Sequence, residues 1–232
     1  MRPGDCVLDI GANLGLVSLT LSALVGSAGN VHAFEPNPQM QALIEEAIGR
    51  NKLTNIKLYR CALGAQDGEL RLSVPRRNAG AASFVAARRN PDSTEVLVPV
   101  RTLSSVMADQ SVGHIRLVKM DVEGFEPEVL AGAIEFFSRE PPDALIFELN
   151  EAAGGLGRHP TMLALSSLGY GFLGLPRRLT HMRAFRFDPR DLSMTPRSHD
   201  FVAARVGRIY DEVAERLRAG KPQDILDDRQ VH

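Results

Sequence analysis

The side chains best suited to chemistry in this chain are carboxylates that close apolar runs. Asp9 ends VLD, Glu35 follows NVHAF, and Asp121 and Glu123 follow IRLVKM. Around the first of them, Gly11, Asn13 and Gly15 punctuate DIGANLG before LVSLTLSALV resumes with helical apolar spacing. A strand, a glycine-rich turn and a helix in that order let bare backbone approach a ligand. Glu35 lies within the roughly 20-residue interval at which an acidic side chain reaches a ribose. The combination implies a nucleoside-containing cofactor.

The spacing separates two kinds of cofactor. A dinucleotide turn, G-x-G-x-x-G, needs its second glycine for the pyrophosphate and its third for close packing of helix on strand. This chain has Asn13 and Leu16 at those places. A side chain at 13 favours a cofactor with a ribose and no pyrophosphate, and S-adenosylmethionine is one. Its carboxylate can use amides near the helix N-terminus, and Asp9 is the candidate acceptor for its ammonium. The plainer reading of the same residues is a turn at Gly11 and Gly15 with Asp9 as a helix cap.

Asp121 and Glu123 sit at a second strand end, with Lys119 two residues before Asp121 on the same strand face. Asp121, Glu123 and Lys119 are the candidate catalytic residues: Asp121 can hold an ammonium or a metal, Glu123 can take a proton from a hydroxyl acceptor, and Lys119 acts beside them in the reaction or simply neutralises both. Glu126 and Glu128 read instead as carboxylates favoured by a helix N-terminus.

These residues need a scaffold that gathers strand ends. Strands are expected at Cys6–Ile10, Val31–Phe34 and Ile56–Arg60, with helices over about Leu14–Val25 and over PNPQMQALIEEAIGRN. That βαβαβ order predicts parallel strands with right-handed crossovers, hence a doubly wound α/β sheet with its ligand beyond the carboxyl ends. GELRLSV and EVLVPVRTL predict a β-hairpin insertion. Between them runs a polar, glycine-bearing stretch with Arg76, Arg77, Arg88 and Arg89 near its ends, expected to be an ordered insertion or a flap by the site. HIRLVKMD, ALIFELN, GYGFLGL, RAFRFDP and DFVAARV predict the later strands, and EPEVLAGAIEFFSRE, Thr161–Leu168 and IYDEVAERLRAG the later helices. The domain is expected over 1–207, followed by a C-terminal helix and polar tail over 208–232.

Composition narrows the partners. With 232 residues, 44% of them hydrophobic, the chain suffices for one domain with a substantial core. A formal net charge of -1 supplies no global field toward nucleic acid or anionic membrane, so neither is expected as a partner. Cys6 and Cys61 are too few for a disulfide framework or a four-cysteine zinc site and read as small apolar fillers. Reduced thiols and the absence of a signal peptide predict a cytoplasmic location, and oligomeric state is left open.

VLDIGANLG, FEPNP, KMDVEGFEPEVLAG and IFELNE, in this order, resemble the FkbM family of S-adenosylmethionine-dependent methyltransferases. The resemblance runs from about Pro3 to Glu151. NAGAAS, from Asn78 to Ser83, looks like the family's Asn/Gly/Ser loop, and RTLSSVM looks like its Thr-Leu-Asp segment with Ser104 in place of the aspartate. The resemblance implies a seven-stranded, mostly parallel Rossmann-like sheet of the class I methyltransferases, with the last strand antiparallel. It implies cofactor contacts at Asp9, Gly11, Asn13 and Gly15, ribose contact from Glu35 beside Pro36, and Cys61, Ala62 and Leu63 along the adenine. Family members usually carry residues before the glycine loop that help cover the site, and this sequence begins almost on its first strand, at MRPGDCVLDIG.

Asp121 with Glu148 and Asn150 also resembles the oxygen-ligand arrangement of catechol-type O-methyltransferases, which suits Mg²⁺. The spacing is loose, so no metal is assigned. Of the histidines, His159 follows the strand bearing Glu148 and reads first as a surface residue. The Asn/Asp-Pro-Pro-aromatic run by which amino-directed nucleic-acid methyltransferases resemble one another is missing after Met120. The expected acceptor atom is therefore the oxygen of a small molecule, a sugar or secondary metabolite. The alternatives are a nicotinamide-dependent oxidoreductase and a non-catalytic nucleoside-binding domain.

Overall fold

The computed structural model describes residues 1–77, 79–85, 92–108, 110, 112–149, 156–175, 184–190 and 199–220, in two units, Met1–Pro142 and Asp143–His232. In the first unit, β1 (Cys6–Ile10) is buried at every position, as an unbroken CVLDI run requires of a strand covered on both faces. It joins β2 (Asn30–Phe34), β3 (Ile56–Tyr59) and β7 (Ile115–Met120) in a parallel sheet of order β7-β1-β2-β3. The chain fills one side of β1 first and then returns to place β7 on the other. That reversal opens a crevice at the carboxyl ends of β1 and β7, where ligands of open α/β sheets bind.

The helices follow their local signals. α1 (Leu16–Val25) begins two residues after the expected start because Gly15 before it is left-handed, with φ 78°. α2 (Pro38–Arg50) opens with proline at its first position, and the Asn37 side chain accepts the Gln39 N–H at 3.1 Å. Met40 and Ile44, one turn apart, form its buried face. Leu8, Phe34, Ile115 and Met120 are all at least 99% buried, each worth about 1.5–3 kcal/mol relative to exposure.

Between β3 and β7 lies a second sheet of order β4-β6-β5. β5 (Gly68–Pro75) and β6 (Ser93–Arg101) are the expected hairpin, paired antiparallel from Gly68↔Val100 to Pro75↔Ser93. β4 (Ala62–Leu63) was not foreseen; its two residues carry too little pattern to read as a strand, yet they pair with Val100 and Arg101. α3 (Leu103–Ala108) then leads into β7, and α4 (Glu126–Arg139) follows it. The Ser104 hydroxyl donates to the Gly132 carbonyl at 3.0 Å, so this position joins α3 to α4 and takes no part in the cavity described below.

In the second unit, β11 (Asp200–Arg205) runs antiparallel to both β8 (Ala144–Glu148) and β9 (Tyr170–Leu175), and β10 (Phe185–Phe187) runs antiparallel to β9. The two late strands expected from RAFRFDP and DFVAARV are thus present, with β11 reversed against its neighbours. α5 (Pro160–Ser167) is capped by His159, whose Nδ1 accepts the Thr161 N–H at 3.2 Å; burial lowers its pKa. α6 (Arg208–Arg216) is the expected C-terminal helix. The α/β class read from the sequence is borne out. Among the described residues no helix is long and apolar enough to cross a membrane.

Candidate functional site

Gly11, Asn13 and Gly15 alternate along the turn after β1 with φ of 76°, 53° and 78°. Asparagine is among the few residues besides glycine that tolerate this region. At Gly11 a second constraint applies: a Cβ there would lie 2.0 Å from the Asp121 carbonyl oxygen, so only glycine lets the turn lie against the end of β7. The Gly11 and Ala12 amides both donate to the Phe34 carbonyl at 3.0 Å, drawing the turn onto β2 as well.

Asp9 and Lys119 face each other in the β1–β7 register. The Asp9 side chain is fully buried; one oxygen accepts the Ser18 hydroxyl at 2.5 Å and the other lies 3.3 Å from Lys119 Nζ. Lys119 also donates to the Gly11 carbonyl at 2.6 Å. From sequence, Asp9 was expected to hold a ligand's ammonium and Lys119 to act in the reaction. Neither lines the cavity. Their charges compensate each other inside the scaffold, and together they brace the glycine turn. Gly15 also stands behind the wall, against Ile44.

The cavity opens beyond the strand ends and is lined by Gly11, Asn13, Glu35, Pro36, Cys61, Ala62, Leu63, Asp121 and Glu123, together with apolar Phe34, Met40, Leu72, Phe84 and Phe125. Residues nominated from four separate stretches of sequence therefore meet in one place. Glu35 is buried, and its two oxygens accept the backbone N–H groups of Asn13 and Asn37, each at 2.8 Å. Burial pushes its pKa up, while those amides and Lys119 pull it down. Burial likewise pushes the Cys61 thiol up to about 11.

Glu123 is held in an unusual backbone state, φ 54°, followed by Gly124 at 96°. The Glu126 carboxylate accepts the Val122 and Gly124 N–H groups at 3.3 Å, so this buried acid stiffens the turn that presents Glu123; burial raises its pKa. Across the cavity, part of the insertion folds over as a roof. Ala79, Gly80, Ala82 and Phe84 line it, and Phe84 packs on Phe125 with ring centres 5.0 Å apart. The Ser83 hydroxyl donates to the Glu123 carbonyl at 3.0 Å. Arg76 pairs with Asp92 at 3.8 Å; Asn78, Arg88 and Arg89 lie outside the described residues.

Asn37 was not nominated from sequence, and Ser83 was noted only as the end of the NAGAAS loop, without a role. Asn37 was legible as a helix cap from its type and the following Pro38, but its second contact, to Ala79, spans 42 residues and leaves no local trace. Asn150, named as a possible metal ligand, lies outside the described residues. Among the described residues no three His, Cys, Asp or Glu side chains gather as a metal site.

A buried acid for hydroxyl groups, an apolar wall for a flat ring, and exposed Asp121 beside half-buried Glu123 suit a nucleoside with a charged tail. Asn13 Oδ1, buried without a hydrogen-bond donor, leaves one more acceptor to such a ligand. The pyrophosphate-admitting glycine of a dinucleotide turn has no counterpart, since the Asn13 side chain is committed to the Gly80 carbonyl at 3.1 Å.

Comparison with known proteins agrees. The model of the methyltransferase FkbM domain matches residues 9–172. The chain is 29% identical over 199 residues to 31-O-demethyl-FK506 methyltransferase FkbM of Streptomyces tacrolimicus, covering 74% of each. It is 31% identical over 130 residues to hexuronic acid methyltransferase AglP of Haloferax volcanii, covering 55% of this chain and 49% of that protein. Among solved structures, methyltransferase FkbM from Methylobacillus flagellatus shares the fold, with a TM-score of 0.52 at 17% identity. The alignment covers 88% of this chain and 44% of that one, so this chain spans less than half of that protein's length.

Proposed function

This chain belongs to the FkbM family of S-adenosylmethionine-dependent methyltransferases, and from that premise we propose that the cavity holds S-adenosylmethionine and that its methyl group goes to a hydroxyl of a small molecule. The observation that carries the reading is the meeting of Glu35, Asp121 and Glu123 around one cavity, beside Gly11 and Asn13 of the glycine turn. Two relatives methylate small molecules or sugar acids by name, which supports the acceptor class.

When bound, the cofactor would supply a methyl group made electrophilic by a positively charged sulfur, which keeps the electron pair of the broken C–S bond and leaves as the neutral thioether of S-adenosylhomocysteine. Glu35 would accept the ribose hydroxyls through lone pairs not used by the Asn13 and Asn37 amides. Leu63 and Phe34 would flank the base. With Asp9 committed to Lys119, Asp121 is the acceptor proposed for the amino group, being exposed at the mouth. Glu123 would take the proton that the acceptor hydroxyl loses as its oxygen forms the new bond to carbon. A base contributes typically about 10²–10⁴-fold, and fixed orientation of the two reactants up to about 7–11 kcal/mol.

Calorimetry with S-adenosylhomocysteine tests the cofactor. Binding is expected, and its absence would overturn the reading. For the base, Glu123→Gln is expected to lower kcat by about 10²–10⁴-fold on an acceptor found by screening glycosides and polyketide alcohols, with affinity for S-adenosylhomocysteine retained. Unchanged turnover would remove Glu123 from that role.

A further inference from the structure

Two asparagines bracket Glu35, and each donates twice, once from its backbone and once from its side chain. Asn13 gives its backbone N–H to one Glu35 oxygen and its side-chain amide to the Gly80 carbonyl, at 2.8 and 3.1 Å. Asn37 gives its backbone N–H to the other oxygen and its side-chain amide to the Ala79 carbonyl, at 2.8 and 3.2 Å. We propose that this pair couples Glu35 to the Ala79–Val85 roof, so that a nucleoside bound at Glu35 tightens the segment covering the cavity. Asn13 and Asn37 are then positioning residues for the transfer reaction. The inference rests on Glu35 taking the ribose hydroxyls.

The roof's other attachments show why such coupling matters. Ser83 exchanges both backbone hydrogen bonds with Ser73 of the hairpin, at 3.0 and 3.1 Å, and its hydroxyl reaches the Glu123 carbonyl. One short segment therefore touches the donors that serve Glu35 and the backbone that presents Glu123. A shift of Asn13 or Asn37 toward a newly occupied Glu35 is felt by the Ala79 and Gly80 carbonyls and, three residues on, at Glu123. Asn13 holds a left-handed backbone, and its side-chain oxygen lacks a donor, so its present state is one that added ligand contacts can bias. Reciprocity then requires that loosening the roof weaken the ligand by the same factor that the ligand tightens the roof.

Hydrogen–deuterium exchange of the full chain with and without S-adenosylhomocysteine tests this, together with calorimetric affinity. In the wild type the ligand is expected to slow exchange over 79–85, notably at the Ser83 and Val85 amides, by about tenfold. Asn37→Ser keeps a capping oxygen and the N–H to Glu35 but cannot reach Ala79. Gly80→Ala acts from the other side, since a Cβ there lies 2.9 Å from the Asn13 amide atoms and displaces them. Either variant is expected to lose the slowing over 79–85 and to bind the ligand more weakly by a matching factor. If Asn37→Ser does not fold, Gly80→Ala decides alone. Protection of 9–13 and 35 with no change over 79–85 in the wild type overturns the coupling and leaves the cofactor assignment standing. Wild-type slowing in a folded variant overturns it likewise. Protection nowhere overturns the cofactor assignment, and the coupling with it.

Discussion

Lys119 stands opposite Asp9 in the β1–β7 register, and its ammonium bridges the Asp9 carboxylate and the Gly11 carbonyl. One cation thus ties the two strands flanking the crevice to the turn at its rim. Asp9 has no exposure and the Lys119 side chain has 16%, so the pair works in a dry setting where removing one partner strands the other.

Lys119→Met is accordingly expected to cost about 3–5 kcal/mol in urea unfolding, because it leaves the Asp9 charge buried and uncompensated. Adding Asp9→Asn to that variant should recover part of the loss. A cost below about 1 kcal/mol, the range of exposed pairs, would contradict the role given to Lys119.

Gly11→Ala puts a methyl group against the Asp121 carbonyl and a side chain at positive φ, the latter alone worth about 1–2 kcal/mol. The turn must lift away from β7. Calorimetry should show S-adenosylhomocysteine affinity falling at least about tenfold alongside a lower Tm. Wild-type affinity would mean that the turn is not a wall of the ligand site.

Glu35→Gln replaces one of two accepting oxygens with a donor that meets the N–H of Asn13 or Asn37 head-on. Hydrogen bonds to a charged group are worth about 1.5–3 kcal/mol, so affinity for S-adenosylhomocysteine should drop roughly ten- to a hundredfold. An unchanged Kd would take Glu35 out of the site.

His32 sets an acid limit on stability. It is buried on β2 with Nδ1 2.9 Å from the Tyr59 hydroxyl, and burial, then the Lys57 charge, lowers its pKa from 6.5 to about 4. The unfolded chain therefore binds a proton at a pH where the folded one does not. The contribution of the neutral ring is full above pH 6.5 and is lost as pH falls from 6.5 toward 4, on the order of 3 kcal/mol in all. Urea midpoints between pH 7.5 and 4 should fall for the wild type and flatten over that window in His32→Gln. A flat wild-type curve would argue against a buried neutral ring.

Sequence patterns carried the local parts of this picture and missed those that depend on register. Gly11, Asn13, Gly15 and Glu35 were legible because a turn and a strand end are written in adjacent residues. The hairpin strands were legible because alternation with period two survives in GELRLSV. That Asp9 would spend its charge on Lys119 was not legible, since it depends on which β7 residue lies opposite β1. The insertion was legible as a segment beside the site, but its attachment was not: Asn13 and Gly80 are 67 positions apart, and neither residue type announces a partner. Ser104 was an open question in sequence, and only the packing of α3 on α4 gives it a structural task.

Cys61 adds a dimension of time. It lines the cavity, yet a thiol held near pKa 11 carries almost no thiolate at neutral pH, and the thiolate is the species that alkylating reagents attack. Labelling is therefore slow while the wall is closed and fastest from states that restore the thiol's ordinary ionisation. At a fixed reagent concentration the rate at which Cys61 is modified tracks the population of the opened wall, and its slowing by a ligand would report occupancy of the cavity without any need to know the acceptor.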